Sequence, residues 1–482
     1  MFFYCQENID YLKKEMHNNP DIVDKVFSVK NTKVGIFYVK TLIDEKLLSS
    51  IILEPITKCL IEEINTKTIT ADILNTADLE VLENLKTKQQ DDEVITHILL
   101  GSVAIFVENE NNCILVNIKD FPSRSPEEPP TSAVIYGPRV GFTENIESNL
   151  AMIRKKLPTK NFALKEFKIG KYTQTKIYLT YIDGIADIKT VKKITKKLEA
   201  INVDGIVDSY YIISFLKKDN YMFKQVGVAE KPDTITAKML EGRVAIIVDG
   251  SPIVLTLPFM VFEDIQNSND YYTNNIYTSV IRVVRILGIL VSTVVPGIYL
   301  SLRLYHYKIM PLKFLITISN TTEGLPFTPF VELIFILVLF QILYEVSMRL
   351  PRYLSLATSI VGALILGQTG VNAGLISPPG VVIIAISIIA IYTVSDQAPQ
   401  LTVLRALFLL IGGTIGMLGI VGALIYIINE MATIDNYGTP YLAPYAPRIK
   451  EDLKDGVFKK SIVNMETRPK SIKNDNKIRL KK

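Results

Sequence analysis

LSLATSIVGALILGQTGVNAGLISPPGVVIIAISIIAIYTV, residues 354–394, decides how the rest of this chain must be arranged. Its two apolar arms, 354–366 and 381–394, are each shorter than the roughly 20 residues that cross a ~30 Å hydrocarbon core as a straight helix. Between them stand Gly367, Gln368, Gly370, Asn372, Gly374 and the pair Pro378 and Pro379, which loosen a helix and then forbid its continuation. Backbone groups freed at such a break cost several kcal/mol if they face lipid, so the break must be buried in protein or line a wet cavity. A functional membrane element and an ordinary pair of packed helices joined by a tight turn both fit this pattern.

The apolar excess that surrounds this stretch is unevenly spread. The 482 residues are 48% hydrophobic with a mean hydropathy of +0.26, yet residues 276–428 carry nearly all the long apolar runs, while 1–270 alternate as a soluble head would. A first span is expected at 286–302, with Arg282 and Arg285 ahead of it snorkelling to the headgroups and Pro296 kinking it near mid-depth. The loop that follows carries its own apolar patch. A second run, 331–343, is bounded by Glu332 and Glu345 with Gln341 between them. A charge at the centre of an isolated span costs on the order of 2.5–3.5 kcal/mol, so these acids should face protein or water, or else sit solvated at interface depth. Glu345 is the first to test, and with Glu332, Gln341, Gln368, Asn372, Gly370 and Gly374 it forms the set of pore or coupling candidates.

Gly370 with Gly374, and Gly412 with Gly416 in a last span at 406–428, have the GxxxG spacing that lets helices approach closely, in a tight bundle or an oligomer. Arg405 opens that last span, either snorkelling or pairing with Asp396. Residues 446–482 hold twelve basic residues against five acidic ones, which places the tail in the cytoplasm by the positive-inside bias. With the head also inside, the crossings must be even. Five apolar segments then require one to be re-entrant or split, and the broken central stretch is the obvious one; Arg303, Lys308 and Lys313 fit this orientation badly.

The head reads as α/β, with a sub-domain at 1–120 and a second at 121–270, before a membrane domain of four to six helical segments at 271–432 and the basic tail at 433–482. Strands are expected within 21–40, 98–107 and 113–118, then 162–171 and 173–182, with helices at 44–60, 188–198 and 234–240. Proline-rich 121–132 should be a surface loop. Thr143 is the expected N-cap of a helix that Pro158 stops, and Asp249-Gly250 the turn of a membrane-proximal hairpin.

Chemistry is hard to find in this head. It has neither GxGxxG nor GxxxxGK[ST]; Gly137 to Gly141 ahead of a helix is better read as a turn than as an anion site. His17, His97 and His306 are scattered, and Cys5, Cys59 and Cys113 are odd in number and widely spaced, so buried reduced thiols are expected rather than disulfides or a metal site. A net charge of +4 without a basic stripe argues against nucleic acid, and the first residues lack a secretory signal. No catalytic residue, cofactor or metal is expected.

EGRVAIIVDGSPIVLTLPF (241–259), DYY (270–272), GLPFTPFVE (324–332), RLP (349–351), SIVGALILGQTGVNAGLISPP (359–379) and YGTPYLAPYAP (437–447), with GPRVGFTENIESNLAMIRKKL in the head, carry a resemblance. Together they resemble the GerA family of spore germination proteins, and within it the A subunits of nutrient germinant receptors. The resemblance covers 136–447 well and the first hundred residues loosely. It implies a place in the inner membrane of a bacterial spore, a permease-like B subunit and a lipoprotein C subunit as partners, and homo-oligomers contributing an ion-conducting path. Many relatives carry an acid where this chain has Asn372 and a base where it has Tyr344, so no charged role transfers to those positions. The leading expectation is a receptor or channel subunit in the lipid bilayer. The alternatives are a secondary transporter with a mid-membrane site, for which no inverted repeat is visible, and a cytosolic binding module that its spans merely tether.

Overall fold

The computed structural model describes residues 4–29, 32–58, 66, 69–70, 79–82, 88–119, 136–218 and 222–479, which leaves Cys59 and the proline-rich 121–132 outside the described residues. Helix α1 (Cys5–Glu15) leads into a hairpin of β1 (Ile22–Val29) and β2 (Thr32–Val39), followed by a helical run over 45–58. Strand β3 (Leu79–Leu82), helix α2 (Lys88–Leu99) and the hairpin of β4 (Ser102–Val107) and β5 (Cys113–Asn117) close the first unit. Ile98 and Leu99, expected in a strand, end α2 instead, and Gly101 at φ +95 turns the chain into β4.

The second unit repeats this order. Helix α3 (Ile146–Lys156) leads into β6 (Phe162–Ile169) and β7 (Thr175–Ile182), then come α4 (Ile188–Glu199), α5 (Ser209–Leu216), β8 (Gly227–Ala229), α6 (Pro232–Leu240), β9 (Val244–Val248) and β10 (Val254–Leu257). The strand orders are β1-β2-β4-β5-β3 and β6-β7-β9-β10-β8, antiparallel throughout, so the two sheets share one topology. In the first unit one face of the sheet packs Phe37, Val39 and Phe106 with Ile9, Leu12, Val94 and Ile98. The other packs Val34, Ile36 and Ile105 with Leu48, Ile52 and Ile56. Both faces being covered, β4 and β9 are buried at every residue, and β9 and all of β4 after Ser102 read as unbroken apolar runs rather than alternating ones.

Thr143 does not cap α3. Asn145 does, its side chain accepting from the Ser148 amide at 2.9 Å, while the Thr143 amide donates to Asn149 at 2.8 Å. The units meet at a buried ion pair, Arg154 to Asp21 at 2.6 Å, with the guanidinium over the Phe162 ring. Cys5 and Cys113 are free and buried. Burial, reinforced by the hydrogen bond and charge of Glu108, pushes the Cys5 thiol up to about 12. A disulfide reagent applied near pH 8 is therefore expected to reach neither of these thiols until the chain is unfolded. Rapid reaction of Cys5 in the native chain would contradict this packing.

The C-terminal half is helical: α7 (Asn275–Thr293), α8 (Val295–Leu304), α9 (Leu312–Thr322), α10 (Pro329–Arg349), α11 (Arg352–Asn372), α12 (Pro378–Ile391), α13 (Ala398–Thr414) and α14 (Met417–Thr433). Among the described residues three stretches are long and apolar enough to cross a membrane: Asn275–Thr293, Pro329–Arg349 and Pro378–Thr414, the last kinked at Val394. Three expectations are corrected here. The first helix begins well before residue 286, so Arg282 lies inside it and is fully buried rather than snorkelling. The last span is two helices, because Gly416 at φ +81 breaks it. Gly374 at φ +63 lies in a turn beyond α11, so Gly370 and Gly374 do not form a helix-packing face.

Gly412 does serve close packing, against Gly297 of α8. A Cβ on Gly412 would overlap the Gly297 backbone, and one on Gly297 would overlap the Phe408 backbone. The tail folds back on the head: Tyr441 packs on Phe259, and the Asp475 amide bonds the Ile185 carbonyl at 3.1 Å.

Candidate functional site

The break is a turn of five residues, 373–377, between α11 and α12. Helix α11 passes without interruption through Gly367, Gln368, Gly370 and Asn372, which moves the break later than the sequence suggested. Its end is closed by the Leu375 and Ile376 amides, both donating to the Gly370 carbonyl at 3.0 and 3.3 Å. Ser377 then starts α12, its hydroxyl accepting from the Gly380 amide at 3.2 Å, with Pro378 and Pro379 in the first turn where a missing N–H costs nothing.

One carboxylate holds this turn. Glu332, in the first turn of α10 where the helix dipole favours an anion, is completely buried. Its Oε1 accepts the Ser377 amide at 2.8 Å and the Ser377 hydroxyl as well, and its Oε2 lies 3.0 Å from Arg303 Nη1 at the end of α8. A Cβ at Gly380 would come within 2.8 Å of Glu332 Oε1, so only glycine fits there without displacing the carboxylate. Three helices and the break thus meet at one ion pair.

The remaining candidates are dispersed. Glu345 is exposed and paired within its own helix to Arg349 at 2.6 Å. Gln341 lines a cavity with Tyr344 and Arg405. Gln368 and Asn372 are exposed on α11, one helical turn apart, continuing a row with Ile360 and Leu364, both at least 60% exposed. The principal neighbour of α11 is α10, so this row has no partner among the described residues. Gly416 is the N-cap residue of α14, and Pro296 sits in the first turn of α8, directly after the break at Val294.

A second layer of charge joins the head to these helices. Asp270 pairs with both Arg282 (2.9 Å) and Arg285 (2.8 Å), and Arg282 reaches Asp455 of the tail at 2.9 Å. Asp264 takes Lys224 of the head at 2.8 Å and Gln397 of the kink at 3.1 Å. Burial alone would raise the Glu263 carboxyl, but Arg243 and Lys238 outweigh it and hold it below its ordinary range. Glu263 therefore contributes stability above the unfolded carboxyl range and loses it as the pH falls through the lowered value. The sequence reading gave no role to Ser377, Asp455 or Asp270, although Asp270 opens the DYY stretch quoted above, and noted Arg303 only as a misfit. A charge at the edge of an apolar run was the available signal.

A sequence model of the Bacillus/Clostridium GerA spore germination protein family matches residues 10–471. The chain belongs to the GerA family. This GerA-family chain is 31% identical over 480 residues to spore germination protein KA of Bacillus subtilis, covering 98% of this chain and 87% of that protein. It is 31% identical to the uncharacterized membrane protein YfkQ of the same organism, over 96% of this chain and 90% of that one. A crystal structure of the N-terminal domain of the A subunit of the Bacillus megaterium spore germinant receptor GerK3 matches 52% of this chain and 94% of its own, at 27% identity and a TM-score of 0.41. The break, its Glu332 anchor and the charged layer all fall within the family match.

Proposed function

We propose that this chain is the A subunit of a spore germinant receptor, seated in the inner spore membrane with head and tail on the cytoplasmic side, and that copies of it assemble around an ion-conducting path. A permease-like B subunit and a lipoprotein C subunit are its partners, and nutrient sensed by them is coupled to cation release. Family membership and the relatives' germination names support the role. The observation that carries the conducting path is the row Ile360, Leu364, Gln368 and Asn372, apolar at one end and, unlike the purely apolar exposed residues of the neighbouring helices such as Ile386, Ile389 and Val403, bearing exposed amides at the other. Amides are costly against lipid and suited to water or to another subunit.

Cysteines placed at Leu364 and Gln368 in spores carrying all three subunits are expected to cross-link copy to copy. Asn372→Asp is expected to change the rate of nutrient-triggered potassium release several-fold. Absence of inter-copy cross-links, together with release at the parental rate in Asn372→Asp and Gln368→Leu, would sink the placement of the path on α11.

A further inference from the structure

A further polar group in the helical half lacks a hydrogen-bond partner among the described residues. Arg405, two turns into α13, is 1% exposed, and its Nε and Nη1 make no hydrogen bond among the described residues. Neither acid that could have answered it is free: Asp396 is engaged by Lys224 at 3.5 Å and Glu345 by Arg349 at 2.6 Å. A buried guanidinium left without an anion is costly, and such a group persists where something else supplies the charge.

Arg405 lines a cavity of about 240 Å³ between α10, α12 and the start of α13. Gln341, Thr402, Tyr344 and Tyr392 furnish its polar wall, with the two tyrosine rings 6.3 Å apart. Thr402 donates to the Ala398 carbonyl at 2.8 Å, so its hydroxyl oxygen still has lone pairs to offer a donor. The cavity lies at the head-facing end of these helices, since the adjoining segment Tyr392–Gln397 is tied to the head through Asp396 to Lys224 and Gln397 to Asp264. Beyond it the same helices expose Ile342, Ile386, Ile389 and Val403, all but Ile386 more than half uncovered. An anion-binding site at the head-facing end of the helices that continues into apolar surface matches an amphiphile with a phosphate at one end.

We infer that the Arg405 cavity is a binding site for the phosphate of an anionic phospholipid, whose acyl chains lie along the exposed faces of α12 and α13. The planar guanidinium fork suits phosphate oxygens bidentately, and basic pockets between membrane helices are suited to such headgroups. The tyrosine rings, apolar in body and polar at the tip, fit the depth of the glycerol backbone.

The test uses the full-length chain purified in an uncharged detergent and titrated, by native mass spectrometry, with short-chain phosphatidylglycerol, with phosphatidylcholine of the same chain length, and with inorganic phosphate. One phosphatidylglycerol per chain should bind saturably, with phosphatidylcholine and inorganic phosphate each about tenfold weaker or worse. Arg405→Met should lose about tenfold or more in phosphatidylglycerol affinity, whereas Arg349→Gln, on the exposed pair, should not. Without lipid, Arg405→Met should unfold at a higher temperature than the parent chain, because it removes an unanswered charge; added phosphatidylglycerol should raise the parent only. Independently of any variant, a photoactivatable phosphatidylglycerol should label the segment 392–405. Equal affinity in parent and Arg405→Met, inorganic phosphate binding as tightly as the lipid, labelling confined to other segments, or an oligomer that Arg405→Met dissolves at constant lipid would each overturn the assignment. The last of these would point to a carboxylate from a second copy.

Discussion

Truncating Glu332 to alanine is expected to destabilise the helical half by about 3–5 kcal/mol, because it strands Arg303, which is nearly as buried as its partner, without a counter-charge. The same change removes the acceptor of the Ser377 amide and hydroxyl at the start of α12. The measurement is thermal or denaturant unfolding of the full-length chain in detergent, with limited proteolysis to watch the turn at 373–377. The matched control is Glu345→Ala. Its pair with Arg349 is exposed and within one helix, so at most ~0.5 kcal/mol should be lost. The double change Glu332→Leu with Arg303→Met restores an apolar contact and should recover most of the loss. It leaves the Ser377 amide unanswered, and a residual deficit of about 1–3 kcal/mol is the signature of that amide. Should Glu332→Ala and Glu345→Ala cost the same, the carboxylate does not anchor the break.

How much of this the sequence could show depends on which physical signal each feature leaves. Part of the alternation of helices and strands in the head was legible, because caps, turns and apolar periodicity are local, as at Asp249-Gly250 and Pro158, whereas α1, α2 and α5 were not anticipated. The duplicated sheet topology was not. Strand order is a long-range pairing property, and the two units carry different residues on the same frame. The presence of a break was legible from glycines and prolines, while its position was not: a helix tolerates Gly367 and Gly370 when Val381 and Ile376 pack against them, so the chain stays helical to Asn372. Glu332 and Glu345 looked alike in sequence, each at an end of one apolar run. What separates them is whether a base from another helix reaches them: Arg303 does, through tertiary structure, whereas Arg349 is simply a helical neighbour. Snorkelling of Arg282 and Arg405 was expected on the premise that lipid surrounds a span, and both are buried in protein instead.

Replacing Asp270 by alanine is expected to have the largest effect at the junction between the head and the helices. Asp270 is nearly fully buried in a 3-10 turn immediately before α7, with one carboxylate oxygen within 2.9 Å of Arg282 and the carboxylate as a whole held bidentately by Arg285. Its loss leaves two guanidinium groups against one remaining acid, Asp455, at a cost of about 3–5 kcal/mol. Asp455→Ala alone should cost less, because Asp270 still answers Arg282, yet it should free the tail, which that contact and the Tyr271 hydroxyl at 2.7 Å fasten to the turn. The two changes share Arg282, so their effects should be non-additive by roughly 0.5–3 kcal/mol in a double-mutant cycle, read from unfolding midpoints and from protease cleavage after residue 433. High salt separates this cluster from the exposed Lys470–Glu451 pair, since screening weakens charges in water and barely reaches buried ones. Additive losses, or a tail equally resistant to protease in Asp455→Ala, would mean that the tail is held by its packing on the head alone.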